Sequence, residues 1–254
     1  MFIDTHCHLY DEGLIENIDQ IIENAIGAGV EKMIVAGCDI PSSLQCVELA
    51  KKYPQIYACV GFYPEYADKY NEDAEKALKE MAKCEKVVGI GEIGLDYSYQ
   101  VPKEVQIDVL TKQIKLAHEL KLPVVLHGRD VYGQLFDILK LNKEFISHGG
   151  TFHCYTGSAE LAREINKLGF FVSIGGVSTF QNAVKVRQMA SEIDLNKVIL
   201  ETDSPYLAPI PMRGKINQPA YIPYIAKNLA ELHHVSLEEI EKITTKNAKG
   251  LFNI

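Results

Sequence analysis

Along the 254 residues, short apolar runs rich in Val and Ile alternate with longer stretches whose apolar positions recur every three to four residues. The short runs are FIDT, KMIVAG, IYACVG, VVGIGE, PVVLHG, GTFHC, FFVSIG and KVILETD. Their length, composition and bounding turn residues predict eight buried strands. The helical spacing between them predicts helices over 14–28, 42–53, 72–84, 105–120, 132–139, 158–168 and 183–192. Two more close the chain, over 221–233 and 237–251. Asp11, Ser42, Asn71 and Ser158 read as helix starts, and Ser236 with Glu239 three residues on opens the last helix. Strands alternating with helices call for parallel βαβ units. At this length the expected architecture is α/β, a single-domain TIM-type (β/α)8 barrel over residues 1–254, distorted where FFVSIGG lacks a clear flanking turn. A doubly wound open sheet is the other solution, but no G-x-G-x-x-G opens the first helix.

The polar residues interrupt this pattern at particular places. His6 and His8 end the first strand, and residues two apart on a strand share a face. Glu92 ends the fourth strand, His127 the fifth, His153 the sixth and Asp203 the eighth. In a closed parallel barrel the carboxyl ends of the strands form one rim, and that rim carries active sites. Burying four imidazoles and two carboxylates together without a cation is costly. A metal centre gives them a reason to be there. Mixed imidazole and carboxylate donors suit Zn²⁺, Mn²⁺, Co²⁺ or Fe²⁺, with Mg²⁺ admissible where oxygens dominate. Six donors exceed what one catalytic ion with an open position needs, so the set predicts two divalent cations with one carboxylate between them.

Charge and cysteines narrow the class. The formal charge of −8 argues against a broad basic surface for gripping nucleic acid. It leaves room for an anionic substrate, because bound cations reverse the local sign. The six cysteines form no C-x-x-C pair and read as reduced thiols, with Cys7 and Cys154 packing beside the candidate ligands. No apolar run approaches membrane-spanning length, and the first residues read as a strand rather than a signal peptide. The expectation is a cytoplasmic protein with no membrane partner, taken as a monomer.

The segments IDTHCHL, IGEIGLDY, PVVLHGRD, FHCYTGS, LETDSPYLAP and RGKINQPAYI, in that order, resemble the TatD-type deoxyribonucleases of the metal-dependent hydrolase (amidohydrolase) superfamily. The resemblance runs nearly end to end. It implies a distorted TIM barrel that binds two divalent cations and cleaves phosphodiester bonds in DNA. Carried over by position, it implies that His6, His8 and Asp203 hold one ion, that His127 and His153 hold the other, and that Glu92 bridges. One departure stands out: the family commonly has a histidine in a G-x-H-P motif, where this chain has Tyr63 in GFYPEY. Tyr63 is no neutral imidazole, but it can donate a hydrogen bond, for instance to a phosphate oxygen.

Smaller roles are assigned around the rim. Arg129 is a candidate phosphate clamp, with a salt bridge to Asp130 or Asp96 as the alternative. Glu201 and Asp96 are read as supports, Glu201 orienting a histidine or Arg129. Arg213, in the long segment after the last strand, is a candidate backbone contact, while His233 and His234 read as a helix end. The expected reaction is hydrolysis of single-stranded or frayed DNA by a two-metal-activated water. Asp203 accepts the proton, Arg129 helps the ions stabilise charge on the phosphoryl oxygens, and Glu92, the bridging carboxylate, completes the catalytic set. Carbon-centred hydrolysis of a lactone, an amide or an aminoacyl-tRNA ester is the rival within enzymes. A metal-stabilised binding module without turnover is the rival outside them.

Overall fold

A computed structural model describes residues 1–254. In chain order the elements are β1 (Phe2–Cys7), α1 (Ile18–Gly27), β2 (Val30–Ala36), α2 (Ile40–Lys52), β3 (Ile56–Val60), α3 (Glu72–Met81), β4 (Val87–Leu95), α4 (Lys103–Leu120) and β5 (Val124–Gly128). There follow α5 (Tyr132–Leu141), β6 (Gly150–Phe152), α6 (Ala159–Lys167), β7 (Phe171–Ile174), α7 (Val184–Glu192), β8 (Val198–Leu200), α8 (Ile222–His233) and α9 (Leu237–Phe252). The strands follow one another in the order β1 to β8, and the fold class is the expected (β/α)8 barrel. The chain divides into two compact units, residues 1–35 with 153–254, and residues 36–152.

In the first unit β1 is buried along its whole length, the burial expected of a parallel strand covered on both faces. The segment after β8 lies beside it through an isolated parallel bridge between Cys7 and Ser204. α1 buries Ile18, Ile21, Ile22 and Ala25, and α9 buries Ile240, Thr244, Ala248 and Phe252, each a stripe of helical period. Ser236 caps α9 by accepting from the Glu239 N–H at 3.1 Å. His233 and His234 stand at the C-terminal end of α8, and Nε2 of His233 meets the Ala190 carbonyl at 2.7 Å.

In the second unit β4 is paired with β3 on one side and β5 on the other, and every residue of it is buried. Two local expectations shift here. The cap of α2 is Asp39, with Ser42 as the reciprocal partner inside the first turn, so the helix starts at Ile40 rather than at Ser42. β4 runs on to Leu95, which places Glu92 inside the strand and not at its end. Glycine allows this. A Cβ on Gly94, where φ is +153°, would lie 1.9 Å from the His127 carbonyl oxygen, so β4 and β5 approach closely beside the candidate ligands.

The six cysteines are free thiols. No helix is long and apolar enough to cross a membrane.

Candidate metal centre

The backbone between β1 and the segment after β8 builds the first donor group. The Asp203 N–H donates to the His6 carbonyl at 2.9 Å, and the His8 N–H donates to the Ser204 carbonyl at 2.7 Å. This ladder fixes His6, His8 and Asp203 side by side although nearly 200 residues separate them. Asp203 itself takes a left-handed backbone conformation (φ 56°), a conformation that costs a non-glycine residue on the order of 1 kcal/mol and clusters at functional sites.

The side chains converge. Nε2 of His6 lies 3.2 Å from Nε2 of His8, and Oδ1 of Asp203 lies 3.8 and 3.4 Å from those two nitrogens. Ligands about 2.1 Å from one ion stand about 3.0–3.4 Å apart at octahedral to tetrahedral angles. The His6–His8 and His8–Asp203 sides fall in that range, and the His6–Asp203 side, at 3.8 Å, is longer. Nδ1 of His8 faces the Tyr10 hydroxyl at 3.1 Å. Donation from Nδ1 to that oxygen leaves a lone pair on Nε2, turned toward a carboxylate and a second imidazole. Burial pushes the Asp203 carboxyl up, but the hydrogen bond from His8 and the charges of His153, His6 and His8 outweigh it and hold the group below its ordinary value. The donor set therefore fits a cation.

His153 joins this group by stacking on His6, with ring centroids 4.0 Å apart and planes at 21°. Its Nδ1 faces Oε1 of Glu201 at 3.3 Å, and the same oxygen accepts the Cys154 N–H at 2.6 Å. Glu201 is fully buried and faces His153, one of the two partners the sequence offered it. Asp4, two residues before His6 and on the same strand, was overlooked in the sequence. Its carboxylate accepts from the Thr202 N–H at 2.9 Å and from the Thr202 hydroxyl. Burial pushes its carboxyl up to about 7. The signal was available in strand parity, since residues 4 and 6 alternate to one face.

The second donor group lies in the other unit. Nδ1 of His127 meets Oε1 of Glu92 at 2.9 Å. Its Nε2 faces the Tyr63 hydroxyl at 3.0 Å and Oδ2 of Asp96 at 3.5 Å. An imidazole that offers Nδ1 to a cation keeps its proton on Nε2, and those two oxygens are placed to accept it. Burial, together with Glu92, Tyr99 and Asp96, pushes the Tyr63 hydroxyl far above its usual range, so it stays a neutral phenol. Burial opposes ionisation of Asp96 as well, but hydrogen bonds from His127 and Ser98 hold its carboxyl well below the usual range.

Two glutamines on α4 also escaped the sequence reading. Gln106 accepts the Asp96 N–H at 2.9 Å and donates to the Asp96 carbonyl at 3.0 Å. Gln113 does the same for Phe62, at 2.8 and 3.1 Å, beside Tyr63. They lie seven residues apart on the buried face of α4, polar positions inside an apolar stripe. Arg129 is 66% exposed and its guanidinium is 3.9 Å from Oδ2 of Asp96, a loose pair. Arg213 is exposed, with its guanidinium 3.9 Å from the centre of the Phe180 ring.

Comparison with known proteins gives the same direction over the whole chain. Residues 3–253 match the family model described as TatD related DNase. The chain is 43% identical to the Bacillus subtilis protein described as uncharacterized metal-dependent hydrolase YabD, with 100% of both chains covered. It is 32% identical to the 3'-5' ssDNA/RNA exonuclease TatD of Klebsiella pneumoniae, over 93% of this chain and 92% of that one. The solved structure of the TatD homologue YJJV from Escherichia coli superposes with a TM-score of 0.94 at 31% identity, covering 100% of this chain and 98% of the other. Buried imidazoles turned toward carboxylates, on a chain matched nearly from end to end, lead to one conclusion: this is a metal-dependent hydrolase, and it belongs to the TatD-related DNase family of the amidohydrolase superfamily.

Proposed function

We propose that the protein is a nuclease that hydrolyses phosphodiester bonds of single-stranded or frayed DNA, with two divalent cations at its active centre. The observation that carries this reading is the triangle of His6, His8 and Asp203, three metal-ligating donors facing one another within 3.8 Å. The relative described as a 3'-5' ssDNA/RNA exonuclease supports phosphodiester over carbonyl substrates. His6, His8 and Asp203 would hold one ion. Glu92 and His127 would supply donors for the other.

When bound, such ions lower the pKa of water toward neutrality and offset charge developing on phosphoryl oxygens. The chain's own groups do the rest. Asp203, held ionised by its neighbours, is the proton acceptor. Tyr10 sets the ring of His8, Glu201 that of His153, and Tyr63 with Asp96 that of His127. Arg129, largely exposed, supplies a donor to a phosphate oxygen. With a net charge of −8, the chain is expected to contact few phosphates and to show a shallow dependence of affinity on salt.

The test is reconstitution of metal-free protein with Mg²⁺, Mn²⁺, Co²⁺ and Zn²⁺ in turn, assayed on a labelled single-stranded oligonucleotide beside an aminoacyl ester and a lactone. Cleavage of the oligonucleotide with at least one ion is the expected result. Turnover confined to the esters would move the protein to the carbon-centred hydrolases, and no turnover on any substrate would favour a binding module.

A further inference from the structure

One exposed aromatic beside the donor triangle is held far more firmly than its exposure explains. Tyr206 lies three residues beyond Asp203 and is 54% exposed. Its N–H donates to the Asp203 carbonyl at 2.9 Å, and its hydroxyl donates to Oδ2 of Asp11 at 2.8 Å. Its carbonyl accepts from Nδ2 of the buried Asn217, which also donates to the Thr202 carbonyl at 2.7 Å. Two bonds therefore hold the backbone of this residue and a third holds its ring, which gains little from burial. The ring stands edge-on to His8, with centroids 6.1 Å apart and planes at 63°. Leu207 and Ile216 of the same segment are exposed too.

We propose that Tyr206 is a stacking platform for a nucleobase of the single-stranded substrate, next to the phosphate received at His6, His8 and Asp203. The inference rests on the nuclease reading above and names how that site would hold a strand. Every base has a π-face, so a ring fixed in advance gives affinity without sequence preference, and little rotamer freedom is lost on contact. The chain's 26 basic residues are outnumbered by 34 acidic ones, and the guanidinium of Arg213 is stacked on Phe180. Affinity from bases fits that surface better than affinity from phosphates. The competing account is mechanical: Tyr206 ties its segment to Asp11 and touches no substrate.

Fluorescence anisotropy on the Ca²⁺-loaded full chain separates the two. The probes are a labelled oligothymidylate and an oligomer of the same length with an abasic tetrahydrofuran at every position. Tyr206→Ala is expected to weaken oligothymidylate binding about tenfold and leave the abasic oligomer unchanged. Tyr206→Phe, which keeps the ring and loses the bond to Asp11, is expected to stay within about twofold of wild type. Tyr206→Leu keeps apolar bulk without a π-system and is expected to follow the alanine variant. Equal losses on both probes, or a loss in Tyr206→Phe as large as in Tyr206→Ala, would overturn the proposal in favour of the mechanical tie. Base-dependent binding through Tyr206 without cleavage by any metal form would sink the nuclease reading and leave the platform standing. Cleavage indifferent to Tyr206 would do the reverse, and no wild-type binding to oligothymidylate would remove the platform.

Discussion

The Tyr63 hydroxyl lies 3.0 Å from Nε2 of His127, on the opposite side of the ring from the Glu92 carboxylate, which meets Nδ1 at 2.9 Å. Here a neutral phenol faces a candidate ligand. Tyr63→Phe keeps the ring and its edge-on packing against His127 but removes that oxygen. Its metal affinity is expected to fall about tenfold. Asp96→Asn is expected to lose more, toward about a hundredfold, because a carboxylate is the stronger acceptor. Competition with a chromophoric chelator measures both. Wild-type affinity in both variants would show that His127 is oriented by packing alone.

His6→Ala and Asp203→Asn each break the three-donor triangle while leaving its backbone ladder in place. Each variant is expected to carry about one ion fewer per chain than wild type and to unfold between the temperatures of metal-loaded and metal-free wild type. Elemental analysis of the gel-filtered protein, with thermal scans with and without EDTA, reads both. A full wild-type complement of metal in Asp203→Asn would remove Asp203 from the ligand set.

Gln113→Ala strips two hydrogen bonds from the backbone of Phe62, and Gln106→Ala does the same at Asp96. Each leaves a buried N–H and a buried carbonyl unsatisfied, so a loss of about 2–4 kcal/mol in unfolding free energy is expected from each. Urea denaturation of the variants measures it. The Gln106 variant is also expected to weaken metal binding, through Asp96, more than the Gln113 variant does.

Asp4 gives a pH dependence with a definite sign. Its carboxyl is raised from an ordinary 3.8 to about 7, chiefly by burial. Between those two values the folded chain keeps a proton that the unfolded chain has lost, so this group favours the fold at low pH and withdraws that support as pH rises to about 7. Asp4→Asn, which has no proton to lose, is expected to flatten that part of the stability profile in metal-free protein. Identical slopes for wild type and variant between pH 4 and pH 7 would show that Asp4 is ionised in the folded state.

The chemical types of the donor set were legible in the chain because a His, Asp or Glu interrupts an apolar strand run at each position, Glu92 inside its strand and the others at or just past strand ends. Strand and helix alternation was legible because burial imposes periods of two and of 3.6, and the helix starts at Asn71, Ser158 and Ser236 were legible because their side chains bond within three residues. α2 shows the limit of that local reading: both Asp39 and Ser42 carry capping oxygens, and only the backbone conformation distinguishes the cap from its partner.

What depended on residues distant in sequence had to wait for the tertiary structure. Asp4 with Thr202, Tyr206 with Asp11, Tyr63 with His127 and Gln106 with Asp96 are side-chain contacts whose geometry no local period encodes. The sequence by itself determined the alternation, the fold class and which residues had metal-ligating chemistry, since these follow from burial and from side-chain type. The tertiary structure decided which nitrogen of His127 faces a carboxylate and which histidine Glu201 serves. It also decided that Tyr63 turns to an imidazole, because hydrogen bonds are short and directional and only folding brings their partners within reach.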